Sequence, residues 1–367
     1  MNWYQLINAD QVDSPAVVLY KDRVTDNINL LKERIDNIQR LRIHVKTCKI
    51  TEVVQLMLKA GIQKFKCATI AEAEMLGIAG APDALLAYQP VGPKIIRLLE
   101  LVQRYPQTRF SCLVDNREGA AAISAVFAEQ RRQINVFMDL NVGMNRTGIK
   151  PGPDALALYQ YLATLPGIVP VGLHAYDGHL HDTDMDIRKK RCDEAYAPVS
   201  ALQTAIVAAG LPAPVIVAGG SPTFPVHAQR KEVECSPGTF IFWDWGYHNN
   251  LQEQTYNWAA LVVTRVISII DEQHICLDLG HKSVAAENPQ PRVHFLNAPE
   301  ARPVSQSEEH LVLQVPDATA YPLGTVFYGV PLHICPTVAL YEKAYVAQEN
   351  IVNANWRIVA RDRQISL

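Results

Sequence analysis

The chain has 367 residues, of which 49% are hydrophobic and 19% are charged, so it has enough apolar side chains for a large core. Its 34 basic and 37 acidic side chains give a formal net charge of −3, and no long basic run is present. We therefore expect neither nucleic acid nor an anionic membrane as a partner. No run of about 18 apolar residues is present, which predicts that no segment spans a membrane.

The seven cysteines are scattered, and several lie inside apolar, strand-like segments such as KFKCAT, FSCLV and HICLDL. The N-terminal segment has Asn, Gln and Asp where a secretory signal needs a basic run and then an apolar run. Together, these features predict a reduced, cytoplasmic protein.

From about residue 24 to residue 242, short apolar runs alternate with longer amphipathic, helix-like segments. The runs that predict strands are LRIHVKT, KFKCAT, ALLAYQP, RFSCLVD, INVFMDLNV, VPVGLHAYDG, VIVAGGSP and VECSPGTFIFWD. Such alternation is typical of a parallel sheet that is buried on both faces. Eight units in roughly 220 residues predict an α/β fold of the (β/α)8, TIM-barrel type. An open doubly wound sheet is the alternative, but the glycine turn VAGGSPT lacks the GxGxxG spacing of a dinucleotide site.

After residue 243 the helix-like segments disappear. Strand-like runs separated by turns follow instead, which predicts a mostly antiparallel β-domain. We place the barrel domain at residues 22–242, and we assign residues 1–21 together with 243–367 to the β-domain.

Lys46 lies at the C-terminal end of the first predicted barrel strand. Barrel enzymes build their sites from strand ends and the loops that follow them. A partly desolvated lysine has a lowered pKa and can form a Schiff base. A lysine that only reaches solvent is the ordinary alternative, and Lys49 is a nearby competitor for the role.

Two glycine loops follow the seventh and eighth predicted strands, where barrel enzymes usually bind phosphate. Their backbone N–H groups and hydroxyls could surround a phosphate, although tight turns also require glycine. The candidate ligands are Gly219, Gly220, Ser221, Thr223, Gly238 and Thr239.

Polar side chains also follow the fifth and sixth predicted strands. Arg146 follows the fifth strand and could hydrogen-bond a cofactor ring or a substrate carboxylate. Tyr176 and His179 follow the sixth strand in HAYDGHLHD. Surface loops collect such residues as well, so each of them is only a candidate.

His333 and Cys335 stand two residues apart in PLHICPTVAL. On an extended chain the two side chains would point the same way, roughly 6–7 Å apart, within reach of one metal ion. An imidazole and a thiolate suit Zn²⁺ or a similar divalent ion, and two protein ligands would leave positions open for water or substrate. A half-buried histidine and a buried cysteine in a strand are the ordinary alternative.

These motifs together resemble fold-type III pyridoxal-phosphate (PLP) enzymes, in the D-threonine aldolase and D-serine dehydratase branch. RIHVKT resembles the RPHxKT segment whose lysine holds PLP, here Lys46, and HICPTV resembles the HxCPTV metal motif, here His333 and Cys335. AGGSPT, SPGTF, SEEH and LDLGHKSVAAE also resemble segments of these proteins. Two positions depart from the pattern: Ile43 replaces a proline, and Cys48 replaces the second histidine of KTH.

The resemblance implies a lyase that uses PLP and a divalent metal (Zn, Mn or Mg) to cleave D-β-hydroxy-α-amino acids into glycine and an aldehyde. On this hypothesis Lys46 bonds to PLP, Tyr176 lies against the cofactor, the metal binds the substrate β-hydroxyl, and His179 is the base. A D-serine or D-3-hydroxyaspartate dehydratase is the alternative, in which Lys46 takes the α-proton. An amino-acid racemase and a non-catalytic PLP-binding protein also stay open. The resemblance further implies a homodimer with shared active sites, and the strand SPAVVLY pairing with the β-domain.

Overall fold

The computed structural model describes every residue from Met1 to Leu367. Its contacts divide the chain into two compact units. The antiparallel unit consists of residues 1–30, 47–50 and 239–361, and the barrel unit consists of residues 31–46, 51–238 and 362–367.

The strands, in chain order, are β1 (Ala16–Tyr20), β2 (Arg42–His44), β3 (Lys64–Cys67), β4 (Asp83–Leu86), β5 (Arg109–Val114), β6 (Ile134–Asp139), β7 (Ile168–Ala175), β8 (Val215–Ala218), β9 (Val233–Cys235), β10 (Ala260–Ile269), β11 (His274–Leu277), β12 (Val293–Phe295), β13 (Arg302–Gln306), β14 (Leu311–Gln314), β15 (Val326–Pro331), β16 (Lys343–Gln348) and β17 (Ile351–Arg357).

The α-helices are α1 (Lys21–Glu33), α2 (Thr51–Lys59), α3 (Ile70–Ile78), α4 (Pro93–Arg104), α5 (Arg117–Glu129), α6 (Pro153–Leu162), α7 (Met185–Ala208), α8 (Phe224–His227), α9 (Trp245–Asn250) and α10 (Ile334–Val338). None of them is long and apolar enough to cross a lipid bilayer.

The barrel unit contains eight parallel strands in the order β2 to β9, each paired with its sequence neighbour. A parallel bridge between Leu41 and Cys235 joins the first strand to the last and closes the sheet. The predicted (β/α)8 fold is therefore confirmed, and each of the eight predicted runs overlaps one strand.

Local signals set the helix boundaries in this unit. Helix α3 starts after Thr69, whose hydroxyl accepts the N–H of Glu72, while the Glu72 carboxylate accepts the N–H of Ala68. This reciprocal arrangement satisfies N–H groups that have no partner within the helix.

Ion pairs fill the interior at the N-terminal ends of the barrel strands. Arg42, only 2% exposed, bonds Asp83 and also donates to Glu234 at 2.7 Å. Arg109 and Lys64 donate to the same two carboxylates. Because an unpaired charge is costly to bury, these charges are buried together as ion pairs.

The antiparallel unit is a nine-stranded sheet with the order β13-β14-β11-β10-β1-β16-β17, and β15 pairs with both β10 and β12. Strand β1 lies in its middle, antiparallel to β10 and parallel to β16, and all five of its residues are buried. This strand thus pairs with C-terminal strands, as the family resemblance implied.

Candidate active site

Lys46 lies two residues after the end of β2, at the C-terminal end of the barrel, and it is half-buried. Its backbone N–H donates to His44 Nδ1 at 3.2 Å, which fixes the turn after the strand. The structure therefore places Lys46 where barrel enzymes carry catalytic groups.

Lys66, on β3, is a second lysine inside the barrel, and the sequence reading did not single it out. It is only 2% exposed, and its Nζ lies 5.4 Å from the centre of the Tyr176 ring. Burial, reinforced by the charge of Lys46, lowers the pKa of Lys66 to about 7, against the attraction of Asp177 and Asp139. The signal for it was the alternation in KFKC, which puts Lys64 and Lys66 on one face of a buried strand.

His174 and Asp139 form a buried pair near the C-terminal ends of β7 and β6. Nδ1 of the imidazole lies 2.7 Å from the Asp139 carboxylate, while Nε2 is buried without a hydrogen-bond partner in the protein. Burial lowers the pKa of His174, because desolvation outweighs the attraction of Asp139. His174 thus keeps one buried ring nitrogen that has no partner in the protein.

Tyr176 is packed between charged and glycine neighbours. The Arg146 guanidinium carbon lies 5.2 Å from the centre of the tyrosine ring, and a Cβ added to Gly220 would lie 3.1 Å from Tyr176 Cε2. The structure therefore brings Arg146, Tyr176 and the first glycine loop together, all three of which were predicted site residues.

The two predicted phosphate loops contact each other. The Ser221 hydroxyl accepts the N–H of Gly238 at 3.3 Å. Gly219 has a φ of +77°, a backbone conformation that favours glycine. The Thr223 hydroxyl donates to Asp177 at 2.8 Å and accepts the N–H of Gly220 at 3.3 Å, so its hydrogen is already used.

His179 lies in the loop after β7. Its Nε2 packs against Gly143, where an added Cβ would approach it to 2.7 Å, and its Nδ1 is buried without a partner in the protein. Burial lowers the pKa of His179 from its usual value, which favours the neutral ring.

Several buried polar atoms at the C-terminal end of the barrel have no protein partner: His174 Nε2, His179 Nδ1 and Ser236 Oγ. Buried polar groups normally have a hydrogen-bond partner. Unused donors and acceptors, a lysine and paired glycine loops fit a polar, phosphate-bearing cofactor such as PLP.

In the antiparallel unit, His333 and Cys335 lie at the start of α10, so the predicted extended conformation is wrong for this segment. His333 is the extended residue before the helix, and Cys335 lies in its first turn. Pro336 is compatible with that turn, because the N–H groups there have no partner within the helix. The two side chains still interact, because Cys335 raises the pKa of His333.

The His333 imidazole is oriented by a carboxylate, since Nδ1 lies 2.6 Å from Glu287 Oε1. Burial opposes protonation of His333, but Cys335 and Glu287 outweigh it and raise its pKa to about 9. A carboxylate on one ring nitrogen leaves the other for a metal, which is the usual arrangement of metal-binding histidines.

Cys335 Sγ contacts two hydroxyls, those of Thr47 at 3.1 Å and Thr239 at 3.7 Å. The predicted phosphate ligand Thr239 thus turns its hydroxyl toward the thiol. One imidazole nitrogen and one sulfur fit a zinc-like divalent ion with open coordination positions.

Buried Asp244 supports this motif. Its carboxylate accepts the N–H of Tyr247 at 2.9 Å, which caps α9, and the N–H of Ile334 at 3.1 Å, which begins α10. Burial raises the pKa of Asp244 to about 6, even though both hydrogen bonds favour its charged form. Nothing in the motif HICPTV itself pointed to Asp244 or to Glu287.

A closed β/α barrel with a lysine after its first strand, in a chain that also carries an antiparallel unit with a His–Cys pair, defines the class of PLP-fold proteins that the sequence resembled. The chain belongs to the alanine racemase N-terminal domain family, whose sequence profile matches residues 20–244. Residues 259–347 match a putative serine dehydratase domain.

Individual relatives agree with this assignment. The chain is 28% identical to a D-threonine aldolase of an Arthrobacter species, over 96% of this chain and 93% of the relative. It is also 28% identical to the D-threo-3-hydroxyaspartate dehydratase of Delftia sp. strain HT23, over 90% of this chain and 93% of the relative. The crystal structure of D-threonine aldolase from Filomicrobium marinum has a TM-score of 0.89 and 26% identity, and the match covers 98% of both chains.

Proposed function

We propose that this protein is a PLP- and divalent-metal-dependent lyase that cleaves D-β-hydroxy-α-amino acids into glycine and an aldehyde. The observation that carries the proposal is the His333–Cys335 pair with Glu287 behind the imidazole. A racemase of the alanine racemase type would need no such metal site. The similarity to D-threonine aldolase over nearly the whole chain supports the same activity.

Each candidate residue has a role in this proposal. Lys46 bonds to PLP, Tyr176 packs against it, and Arg146 hydrogen-bonds it. The two glycine loops hold its phosphate, and His333 and Cys335 bind the metal. When bound, PLP supplies an electron sink for the bond broken at the substrate Cα, and the metal polarises the substrate β-hydroxyl.

His179 is the proposed proton acceptor in the aldolase reaction. Its lowered pKa favours the neutral imidazole, and Nδ1 has no other partner in the protein. It can therefore take the proton from the β-hydroxyl oxygen as the Cα–Cβ bond breaks.

A dehydratase is the second candidate, and similarity to D-threo-3-hydroxyaspartate dehydratase over 90% of this chain favours it. In that reaction the Lys46 amine takes the α-proton, and the β-hydroxyl leaves as hydroxide. The two activities differ in which substrate bond breaks, so their products distinguish them.

The decisive experiment incubates the protein with PLP, Mn²⁺ or Zn²⁺, and a panel of D-threonine, D-serine and D-3-hydroxyaspartate. Glycine plus acetaldehyde from D-threonine supports the aldolase, whereas pyruvate from D-serine or oxaloacetate from D-3-hydroxyaspartate supports the dehydratase. Interconversion of D- and L-amino acids that EDTA does not affect would replace both with a racemase. Absence of any product from the panel would refute the proposed activity.

We include a homodimer in the proposal, because the resemblance implies that two copies share their active sites. Size-exclusion chromatography with light scattering should give about twice the chain mass of 40.8 kDa. A monomer that retains full activity would rule out shared sites.

A further inference from the structure

A buried polar cluster lies beneath the first glycine loop of the barrel unit. It joins the loop after β7, helix α7 and helix α8 through Asp177, Cys192, Thr223, His227 and Arg230. Asp177, Thr223 and His227 are each at most 3% exposed, and Cys192 is completely buried. The role proposed above for the barrel residues does not use this cluster, except for Thr223.

Arg230 fixes the proton position on the His227 ring. Its Nη1 lies 2.8 Å from His227 Nδ1, and a guanidinium can only donate. Nδ1 therefore accepts, and the ring proton is on Nε2. That nitrogen lies 2.8 Å from Asp177 Oδ2, so Nε2–H donates to the carboxylate.

Asp177 connects the His227 ring to the glycine loop. Its second oxygen accepts the Thr223 hydroxyl at 2.8 Å, which leaves the Thr223 oxygen to accept the N–H of Gly220. The histidine ring and the Thr223 hydroxyl also pack beneath Gly219, where an added Cβ would lie 2.7 Å from His227 Cδ2 and 2.9 Å from Thr223 Oγ1. The hydrogen bonds that start at Arg230 and at Gly220 thus converge on Asp177, which accepts the His227 ring N–H on one oxygen and the Thr223 hydroxyl on the other.

The same cluster resembles a metal site, because ligand atoms of Asp177, Cys192 and His227 all lie within 4.8 Å of one another. The position of Arg230 argues against a metal. An ion on Nε2 would require the ring proton on Nδ1, where it would face the N–H of Arg230. A guanidinium next to the site would also repel the ion.

We propose that Arg230, His227, Asp177 and Thr223 form a positioning relay that presets the Gly219–Gly220 loop for the cofactor phosphate. In this arrangement Thr223 supports the loop from below and is not itself a phosphate ligand. The inference rests on the proposed function, because it assumes that this loop binds the phosphate of PLP.

The test measures the dissociation constant of PLP for the metal-free apoprotein by absorbance or fluorescence titration. Asp177→Asn keeps the side-chain shape but puts an NH₂ group where a double acceptor is needed, and Thr223→Val removes the hydroxyl at constant volume. We expect each change to weaken PLP binding about tenfold to hundredfold, as the loss of a buried hydrogen bond does. Thr223→Ser retains the hydroxyl and should bind nearly as the wild type does.

The double variant separates a relay from a direct ligand. If Thr223 acts through Asp177, the variant with both Asp177→Asn and Thr223→Val should bind PLP about as weakly as either single variant. Additive losses would show that Thr223 binds phosphate by itself and would overturn the relay. Asp177→Asn binding as tightly as the wild type would overturn it too, whereas a wild type that binds no PLP would refute the proposed function itself.

Two measurements on the apoprotein complete the test. The ¹⁵N chemical shifts of His227 should show a neutral ring with its proton on Nε2 and no proton on Nδ1. Metal analysis of a variant lacking His333 and Cys335 should find no bound ion. A stoichiometric ion that disappears with Cys192→Ala would overturn the relay in favour of a metal site.

Discussion

The two units hold their candidate functional groups in different ways. In the barrel unit, the groups follow the ends of parallel strands: Lys46 follows β2 and Tyr176 follows β7, so the topology itself brings them to one end. In the antiparallel unit, the His333–Cys335 pair lies at the start of a five-residue helix that Asp244 holds by a hydrogen bond. Sites at strand ends depend on the whole barrel, whereas the metal motif depends on a few polar contacts from distant parts of the chain.

From this comparison we expect that the substitution with the largest effect on activity is in the barrel unit, at Lys46. Lys46→Ala should abolish the visible absorbance band of lysine-bound PLP and lower activity at least about 1,000-fold, because Lys46 is the lysine proposed to hold the cofactor covalently. Absorbance spectra and steady-state assays measure both. Lys49→Ala, three residues away, is the matched control and should keep the band. A band that persists in the Lys46→Ala protein would show that the assigned lysine is wrong.

Lys66 offers a way to separate function from stability inside the barrel. Folding lowers its pKa from 10.5 to about 7, so the unfolded chain binds more protons than the folded one between these values, and stability rises with pH there. Below about pH 7 the folded protein carries the full cost of a buried charge, about 5 kcal/mol for this change in pKa. Lys66→Met should therefore raise the melting temperature of the apoprotein, most strongly at pH 6.

Thermal melts at pH 6 and pH 10 test this prediction. The gain from Lys66→Met should shrink as the pH rises, because deprotonation removes the same cost from the wild type. Lys64→Met, two residues earlier, should instead lower the melting temperature, because Lys64 forms an ion pair with Glu234. Equal gains at both pH values would contradict the lowered pKa of Lys66.

Glu287 tests whether the metal motif depends on polar contacts. Glu287→Gln keeps the side-chain size but weakens the orientation of the His333 ring, and should lower metal affinity about 10- to 100-fold. Competition of a chromogenic chelator for Zn²⁺ measures the affinity. Glu308→Gln, an exposed carboxylate paired with Lys282, should bind Zn²⁺ as the wild type does. Unchanged affinity in Glu287→Gln would place the metal elsewhere.

The smallest effect belongs to the support of the short helix. Asp244→Ala removes the acceptor for the N–H groups of Tyr247 and Ile334 and should lower the free energy of unfolding by about 1–2 kcal/mol. Urea denaturation followed by fluorescence measures it. Asp244→Asn keeps one acceptor oxygen and should lose less. A larger loss from Asp244→Asn than from Asp244→Ala would mean that the cap is not what stabilises this region.

The barrel could be predicted from the sequence because its signals are local. Each of the eight apolar runs is long enough to mark a strand, and a lysine such as Lys46 at a run's end is visible without knowing any contact. The same logic located Arg146 and Tyr176, since strand ends in a parallel barrel share one face. The Lys46→Ala variant tests the proposed role of Lys46, and the roles of Arg146 and Tyr176 remain proposals.

What the sequence did not show arises from contacts between distant residues. Glu287, which contacts the His333 ring, lies 46 residues before it, and Asp244, which accepts the N–H of Ile334, lies 90 residues before that residue. No local pattern predicts either contact. The prediction of an extended HICPTV segment was wrong because a His–x–Cys pair can bring its side chains together both in a strand and in the first turn of a helix. His227 and Asp177 were missed for the same reason, since they are 50 residues apart.

The central position of β1 has a consequence for how the chain acquires its structure. Val18 pairs with Leu261 and with Tyr345, so its partners are synthesised about 240 and 330 residues later. Barrel strands pair with their immediate successors and can assemble as they leave the ribosome. The apolar segment AVVLY therefore has no strand partner until β10 and β16 have been synthesised. We therefore expect the newly made chain to be most prone to aggregation through this segment, before its neighbouring strands exist.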